Sequence, residues 1–127
     1  MRVCLLGRYF DLRGGGLGRV SMEVMYGLVK KGHSIKVIST KGNSLSSYLF
    51  YTSTQVPLKM PRQGFDIYHA LTPMEAIWIP KGRGVVTFHD LFQFTHPDKV
   101  GAGISGNGLR NFIGKEYFIN IISKVPI

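Results

Sequence analysis

The strongest constraint on the fold is a short apolar run that leads through a glycine-rich stretch into an amphipathic pattern. Residues 2–7 are continuously apolar after Arg2, which is typical of a strand buried on both faces of a parallel sheet. Residues 8–16 are polar and glycine-rich. Apolar residues then recur at helical spacing and predict the buried face of a helix, with Ser21 and Glu23 on its other faces: Leu17, Val20, Val24 and Leu28. Gly32 occupies the position of a C-cap at the end of this predicted helix, and residues 35–40 form a second β-rich run. The two strands and the helix between them are therefore expected to form a right-handed βαβ unit.

The rest of the chain continues this alternation of strands and helices. The sequence predicts a helix beginning in residues 44–51, a short strand or extended loop at 56–60, strands at 65–71 and 84–88, and a short helix at 73–79. This order predicts an α/β fold, a Rossmann-like three-layer sandwich with a mostly parallel sheet. Residues 1–100 are expected to form the domain. Residues 101–127 are expected to be a glycine-rich segment and an amphipathic helix.

Composition restricts the partners and the location. A chain of 127 residues fits one domain, and its formal charge of +9 favours anionic partners. The basic residues are scattered, and the sequence carries no zinc-finger spacing, RNA-recognition signature or helix-turn-helix pattern, so we expect no nucleic acid. No apolar run approaches the ~20 residues of a membrane-spanning helix, and no signal-peptide pattern is present. The single cysteine, Cys4, predicts a buried thiol, and the expected location is cytoplasmic.

The glycine-rich segment Arg13-Gly14-Gly15-Gly16-Leu17-Gly18-Arg19 is the main candidate binding loop. Glycines let a backbone approach a ligand, and a helix N-terminus favours phosphate, so we expect a phosphate site unless the loop is only a flexible turn. The P-loop pattern is absent. The dinucleotide pattern is only approximated, with Ser21 at its last glycine and no acidic residue after the second strand. Binding of NAD is therefore disfavoured. Binding of NADP is kept as an alternative, because Lys41 is placed to meet its 2′-phosphate.

Two histidines stand at predicted strand ends. His69 ends one strand, and His89, followed by Asp90, ends another, so both are expected at the ligand-binding edge of a parallel sheet. Metal-ligand spacing is absent, and we predict no metal. The pair His89-Asp90 is a candidate for polar contact with a substrate, the alternative being that His89 only bonds the backbone.

Taken in order, these motifs resemble the N-terminal domain of the retaining GT-B glycosyltransferases of the group 1, or family 4, class. Gly15-Gly16-Leu17-Gly18-Arg19 is similar to the family's glycine loop, and residues 28–37, Leu-Val-Lys-Lys-Gly-His-Ser-Ile-Lys-Val, are similar to the passage that follows it. Residues 66–70, Asp-Ile-Tyr-His-Ala, and 85–90, Val-Val-Thr-Phe-His-Asp, are similar to two of its strands, although Leu71 replaces a histidine of the first. The resemblance spans residues 1 to about 100.

The resemblance implies a function and a set of site residues. It implies the acceptor-binding half of an enzyme that moves a sugar from a nucleotide-sugar, such as a UDP- or GDP-sugar, to a glycan, lipid or small-molecule acceptor. The transfer would retain the anomeric configuration of the sugar and would need no metal or other cofactor. The implied catalytic residues are His89, which meets the donor sugar, and Asp90. The implied residues for the donor diphosphate are Arg13, Gly14, Gly15, Gly16, Leu17, Gly18 and Arg19. The acceptor is expected at His69 and Thr72.

The expected partner is the other half of the enzyme. The family's paired-glutamate motif and second domain are absent from these 127 residues, so we expect that domain, or a separate subunit, to supply donor binding, and we expect the chain alone to be inactive. Two other functions stay open: a non-catalytic binding domain of the same fold, and an NADP-dependent oxidoreductase domain. The charge and the apolar tail also suggest a peripheral position at an anionic membrane surface.

Overall fold

The computed structural model describes residues 1–89. Its strands are β1 (Arg2–Leu6), β2 (Ser34–Ile38), β3 (Ile67–Ala70) and β4 (Gly84–Val86), and its helices are α1 (Gly15–Lys30), α2 (Leu45–Phe50) and α3 (Val56–Lys59). Short 3-10 turns cover Leu12–Gly14 and Ala76–Trp78, and a π-helical turn, Tyr51–Gln55, joins α2 to α3. Asp90, the end of the predicted domain and the predicted tail helix lie outside the described residues.

The four strands form one parallel sheet in the order β2-β1-β3-β4. Strand β1 is central, and Val3, Cys4, Leu5 and Leu6 are all buried, which confirms the prediction of a strand covered on both faces. Burial raises the pKa of the Cys4 thiol to about 11, so the cysteine is the inert core residue that the sequence predicts. The architecture is therefore an α/β fold with an all-parallel sheet.

The main hydrophobic cluster lies on the face of the sheet that carries α2 and α3. Cys4 and Leu6 of β1 pack there with Tyr68 and Ala70 of β3. The helical segment contributes side chains that are also buried, namely Tyr51, Val56 and Met60. The hydroxyl of Tyr51 donates to the carbonyl oxygens of Gly7 at 3.1 Å and Ile38 at 2.9 Å, which ties this segment to the carboxyl ends of β1 and β2.

Helix α1 buries only part of the face that its apolar spacing predicts, because Val24 and Leu28 of that face are half-buried and the first two residues of the face are exposed. Gly18 and Ser21 are its buried residues, whereas Leu17 and Val20 are each 39% exposed. Gly18 lies so close to the carbonyl oxygen of Asp11 that a Cβ atom would collide with it. Ser21 tolerates burial because its hydroxyl donates to the Leu17 carbonyl oxygen at 2.8 Å. Close backbone packing at Gly18 therefore positions the first turn of this helix, and the predicted apolar face is partly buried only in the second half of the helix.

The prediction of a strand or extended loop at residues 56–60 is wrong, because Val56–Lys59 forms α3. Proline normally breaks a helix because it has no amide hydrogen. Here Pro57 follows a π-helical turn, in which the Val56 amide bonds to Tyr51, five residues earlier. The Thr52 carbonyl oxygen, five residues before Pro57, instead accepts a bond of 2.7 Å from the Trp78 indole nitrogen. A distant side chain thus replaces the missing donor.

Within residues 1–89, no helix is both long enough and apolar enough to cross a membrane.

Candidate functional site

The carboxyl edge of the sheet contains the place where ligands bind in folds of this class. The chain leaves β1 for β2 on one side and then crosses back to β3 on the other side. The order therefore reverses between β1 and β3, and crevices at such points are the usual binding sites of open parallel sheets. Gly7 and Arg8 follow β1 there, and Leu71 and Thr72 follow β3. The amide of Leu71 donates to the Leu6 carbonyl oxygen at 2.8 Å and holds the two strand ends together.

The N-terminus of α1 stands in the loop after β1. Gly14 is its N-cap, and Gly15, with φ of 57°, adopts a conformation that favours glycine. A Cβ atom at Gly15 or Gly16 would meet nothing within 4 Å, so the backbone is open to a ligand at these two residues. The predicted loop residues from Gly15 to Arg19 thus belong to the first turns of α1, whose first amides have no partner within the helix.

The two arginines that flank this loop differ in their pairing. The Arg13 side chain bonds the Asp11 carboxylate through both Nε, at 2.8 Å, and Nη2. This bond lowers the pKa of Asp11 and raises that of Arg13. Arg13 is therefore held in a local ion pair, and a ligand would have to compete with Asp11 for it. Arg19 is exposed, and among the described residues no ion pair involves it.

Both histidines at the carboxyl edge have one ring nitrogen engaged. His69 Nε2 lies 2.8 Å from the Thr87 hydroxyl, and burial lowers the pKa of His69, so its neutral form is favoured. His89 Nε2 lies 2.7 Å from the Leu71 carbonyl oxygen. Because a carbonyl oxygen only accepts, Nε2 of His89 must carry a hydrogen, and Nδ1 of the neutral ring is left as an acceptor. Asp90, the other predicted catalytic residue, lies outside the described residues.

Thr72 belongs to a buried polar cluster at the switch point. Its hydroxyl donates to Glu75 Oε2 and also lies 3.3 Å from the Tyr48 hydroxyl. Glu75 is fully buried, and its Oε1 atom has no hydrogen-bonding partner among the described residues. Burial raises the pKa of Glu75 to about 7, although the bond from Thr72 and the charge of Arg8 act in the opposite direction. A carboxyl group that titrates near neutrality at a ligand-binding edge is typical of functional sites.

Arg8 completes this cluster. Its guanidinium carbon lies 4.5 Å from the ring centre of Tyr48 and 4.9 Å from that of Tyr9, and its Nη2 donates to the Asn43 carbonyl oxygen at 3.1 Å. Its Nε atom is buried without a partner among residues 1–89. An unpaired buried donor of this kind costs about 1–3 kcal/mol, so the group is held there against a penalty.

The sequence-predicted residues thus meet at one edge, but they do not form one contact network. His69 and Thr87 form one pair, His89 reaches the strand end at Leu71, and Thr72 contacts Glu75. Three members of the polar cluster were missed from the sequence: Arg8, Tyr48 and Glu75. Arg8 could have been found as the first charged residue after the buried strand, and the Thr72-Pro73-Met74-Glu75 spacing resembles a helix capping pattern. The burial of Glu75 depends on distant segments and leaves no local signal.

Among residues 1–89, no three His, Cys, Asp or Glu side chains are grouped so that they could hold a metal ion.

Searches of protein-family models, of curated proteins and of solved structures find no match to this chain.

Proposed function

We propose that this chain is the acceptor-binding, N-terminal domain of a retaining GT-B glycosyltransferase, one Rossmann-like half of that fold. In this role it meets a nucleotide-sugar and a glycan, lipid or small-molecule acceptor at the carboxyl edge of its sheet. A second domain, in the same polypeptide or in a separate subunit, supplies the binding site for the nucleotide. An anionic membrane surface is a further proposed partner.

One observation carries the proposal: the glycine-rich N-terminus of α1 and the end of β4 with His89 lie at the same edge of a parallel sheet. The motif order Gly-Gly-Leu-Gly-Arg, Asp-Ile-Tyr-His and Thr-Phe-His-Asp adds support, because each motif follows or forms one of the strands β1, β3 and β4. A cleft between two domains at this edge would bring donor and acceptor together.

The chemistry proposed for the α1 N-terminus is stabilisation of the leaving group. In retaining transfer, the bond between the sugar's anomeric carbon and the diphosphate oxygen breaks, and an acceptor hydroxyl oxygen bonds to the same face of that carbon. Negative charge develops on the departing diphosphate, which takes up the hydroxyl proton. The free amides and dipole of α1, with the exposed Arg19, offer fixed positive charge for it. The Nδ1 atom of His89 would accept a hydrogen bond from a hydroxyl of the donor sugar, since Nε2 is held by Leu71.

Calorimetric titration with UDP-glucose, GDP-mannose and NADPH tests this proposal. Because the second domain supplies the nucleotide site, we expect the chain alone to bind a nucleotide-sugar only weakly, in the millimolar range, through the diphosphate. R19Q should weaken that binding by about two- to five-fold, the effect of one charge beside a helix terminus. K30Q is the matched control. It removes the same charge from the opposite end of the same helix and should leave the affinity unchanged.

Two outcomes would overturn the proposal. Tight binding of NADPH together with no binding of either nucleotide-sugar would favour the oxidoreductase alternative. Equal weakening by R19Q and K30Q would mean that the chain responds only to its net charge, and the α1 N-terminus would then have no specific role.

A further inference from the structure

Arg8 is held in a conformation that prepares it for a ligand. Its guanidinium group contacts the rings of both Tyr9 and Tyr48, and Nη2 donates to the Asn43 carbonyl oxygen. Contacts with two aromatic faces restrict a side chain that would otherwise be highly mobile. Less conformational entropy is then lost when a ligand binds.

No carboxylate among residues 1–89 forms an ion pair with Arg8. Within residues 1–89, the ion pair between Arg13 and Asp11 is the only one formed, and Glu75 acts on Arg8 through a longer-range attraction. Arg8 is only half-buried, so part of it remains accessible. Arg13 therefore has its counter-ion within the protein, whereas Arg8 is available for an anion from outside.

The position of Arg8 is that of a ligand-binding residue. It follows β1 at the switch point, and Tyr48 connects it to Thr72 and the buried Glu75 on the β3 side. On its other side, Tyr9 packs against Gly14, the N-cap of α1. An anion bound at Arg8 would thus lie beside the segment that the proposed function assigns to the donor diphosphate.

We propose that Arg8, held by Tyr9 and Tyr48, binds the phosphate group of a phosphorylated sugar or polyol at the β1–β3 switch point. This inference rests on the proposed function, in which the switch point holds the acceptor, and it narrows the acceptor to a phosphate monoester. Nε of Arg8 is buried and one hydrogen of Nη2 is engaged by Asn43, so Nη1 and the second hydrogen of Nη2 are the donors left in the guanidinium plane for the oxygens of a phosphate. A monoester near neutral pH carries more than one negative charge, and the positive end of α1 lies beyond Tyr9 to attract it.

Glu75 would couple this binding to a proton. Arg8 favours the ionised form of Glu75, and an anion bound at Arg8 would offset that effect. The pKa of Glu75, about 7 in the free protein, would then rise and the carboxyl group would take up a proton. The charged groups and hydroxyls around it are Arg8, Thr72, Tyr48 and Tyr51, and burial raises the pKa of Tyr51.

Calorimetric titration of the full chain with glucose 6-phosphate, and with glucose as the uncharged comparison, tests the phosphate site. We expect glucose 6-phosphate to bind and glucose to bind at least about ten-fold more weakly, and R8Q to weaken the phosphate ester by a similar factor. R2Q is the matched control, because Arg2 also contacts an aromatic ring but lies at the opposite, amino end of β1. Its guanidinium carbon is 5.0 Å from the ring centre of Phe65. Equal effects of R8Q and R2Q, or equal binding of glucose, would overturn the proposal.

The source of the phosphate is tested with vesicles. We expect the protein to bind glucose 6-phosphate in solution and to show no dependence on Arg8 in its binding to vesicles of phosphatidylcholine with phosphatidic acid. Vesicle binding that R8Q abolishes and R2Q preserves, without binding of glucose 6-phosphate, would instead assign Arg8 to a lipid phosphate and overturn the sugar phosphate. If R8Q does not fold, R8K keeps the charge but loses the planar donors, and unchanged affinity in R8K would contradict the proposal.

Inorganic sulfate tests the proton coupling, because it binds as an anion and does not titrate between about pH 6 and 8. We expect sulfate to bind the wild-type protein about three-fold or more tightly at the lower pH, and E75Q to lose that dependence. A pH dependence that persists in E75Q would assign the proton to another group. The phosphate site at Arg8 and the proposed function can fail separately. If UDP-glucose binding responds to R19Q but glucose 6-phosphate does not bind at Arg8, only the phosphate site is rejected.

Discussion

At the scale of single residues, Gly18 has a role that neither a flexible loop nor an average helix would require. Its Cα lies against the Asp11 carbonyl oxygen, where a Cβ atom would collide with backbone, while a Cβ atom at Gly16 would meet nothing within 4 Å. The two glycines are neighbours in the same motif, but only Gly18 determines how closely α1 packs on the loop before it. Substitutions at the two positions should therefore have opposite signs.

We predict that Gly18→Ala destabilises the protein by about 2 kcal/mol or more, because the clash is with backbone that cannot move aside easily. Gly16→Ala should be neutral or stabilising by up to about 1 kcal/mol, since alanine restricts the unfolded chain and favours the helix. Urea denaturation followed by circular dichroism measures both. Similar losses in the two variants would contradict the close packing of Gly18.

Glu75 predicts a specific dependence of stability on pH. The pKa of Glu75 is about 7 in the folded protein and near the ordinary glutamate value of 4.5 in the unfolded chain. Between these values the folded state binds more protons than the unfolded state, so the contribution to the free energy of unfolding falls as pH rises. The contribution of protonated Glu75 to the stability of the folded protein is fully present below about pH 4.5 and is lost as the pH rises through about 7.

We expect the free energy of unfolding of the wild type, minus that of E75Q, to fall by about 2–3 kcal/mol between about pH 5 and pH 8. The subtraction removes the contributions of other groups, including His69, whose lowered pKa acts in the opposite direction. Urea denaturation at several pH values gives this difference. A difference that stays constant, or that rises with pH, would show that Glu75 is not buried as a neutral acid.

At the scale of secondary-structure elements, the Tyr51 hydroxyl adds a polar connection to the apolar packing that holds the helical segment from α2 to α3 on the sheet. Tyr51 is buried in the π-helical turn and donates to carbonyl oxygens at the ends of both β1 and β2. Tyr51→Phe should therefore cost about 1–2 kcal/mol, since it leaves buried carbonyl oxygens with fewer donors. Tyr26→Phe on the exposed side of α1 is the control and should change stability by less than about 0.5 kcal/mol. Equal effects in thermal denaturation would contradict this attachment.

The elements differ in how well the sequence predicts them, for physical reasons. Strand β1 and helix α1 carry local signals, an unbroken apolar run and a helical period that ends at Gly32, whose φ is 81°. Helix α3 carries a misleading local signal, because Pro57 is tolerated only through the π-helical turn and the indole of Trp78. What was predicted depends on neighbours in sequence, and what was missed depends on a contact between residues 26 positions apart.

The candidate site follows the same rule. Residues at strand ends, such as His69 and His89, are predictable because every parallel strand delivers its carboxyl end to one edge. The pairing of Arg13 with Asp11 and the burial of Glu75 are properties of packed side chains, and neither follows from motif spacing. The sequence thus predicts where the site lies better than it predicts which groups are free to act.

At the scale of the whole molecule, the excess of positive charge acquires a local meaning at one edge of the sheet. Arg8 and Arg19, which form no ion pair within the described part of the chain, place positive charge beside the switch point together with the N-terminus of α1. We propose that a glycosyl donor and its acceptor meet at this edge. The amino edge, with Arg2, Asp66 and Arg83, carries charged groups as well and serves as the internal comparison.

The most direct test is a two-dimensional ¹H–¹⁵N NMR titration of the labelled chain with UDP-glucose. The account predicts that the amide signals that shift are those after the strands at the carboxyl edge, from Gly14 to Arg19 and at Leu71, Thr72, Phe88 and His89. Signals at the amino edge, such as Gly64 and Asp66, should stay in place. Shifts concentrated at the amino edge, or no saturable shifts at millimolar nucleotide-sugar, would contradict the account.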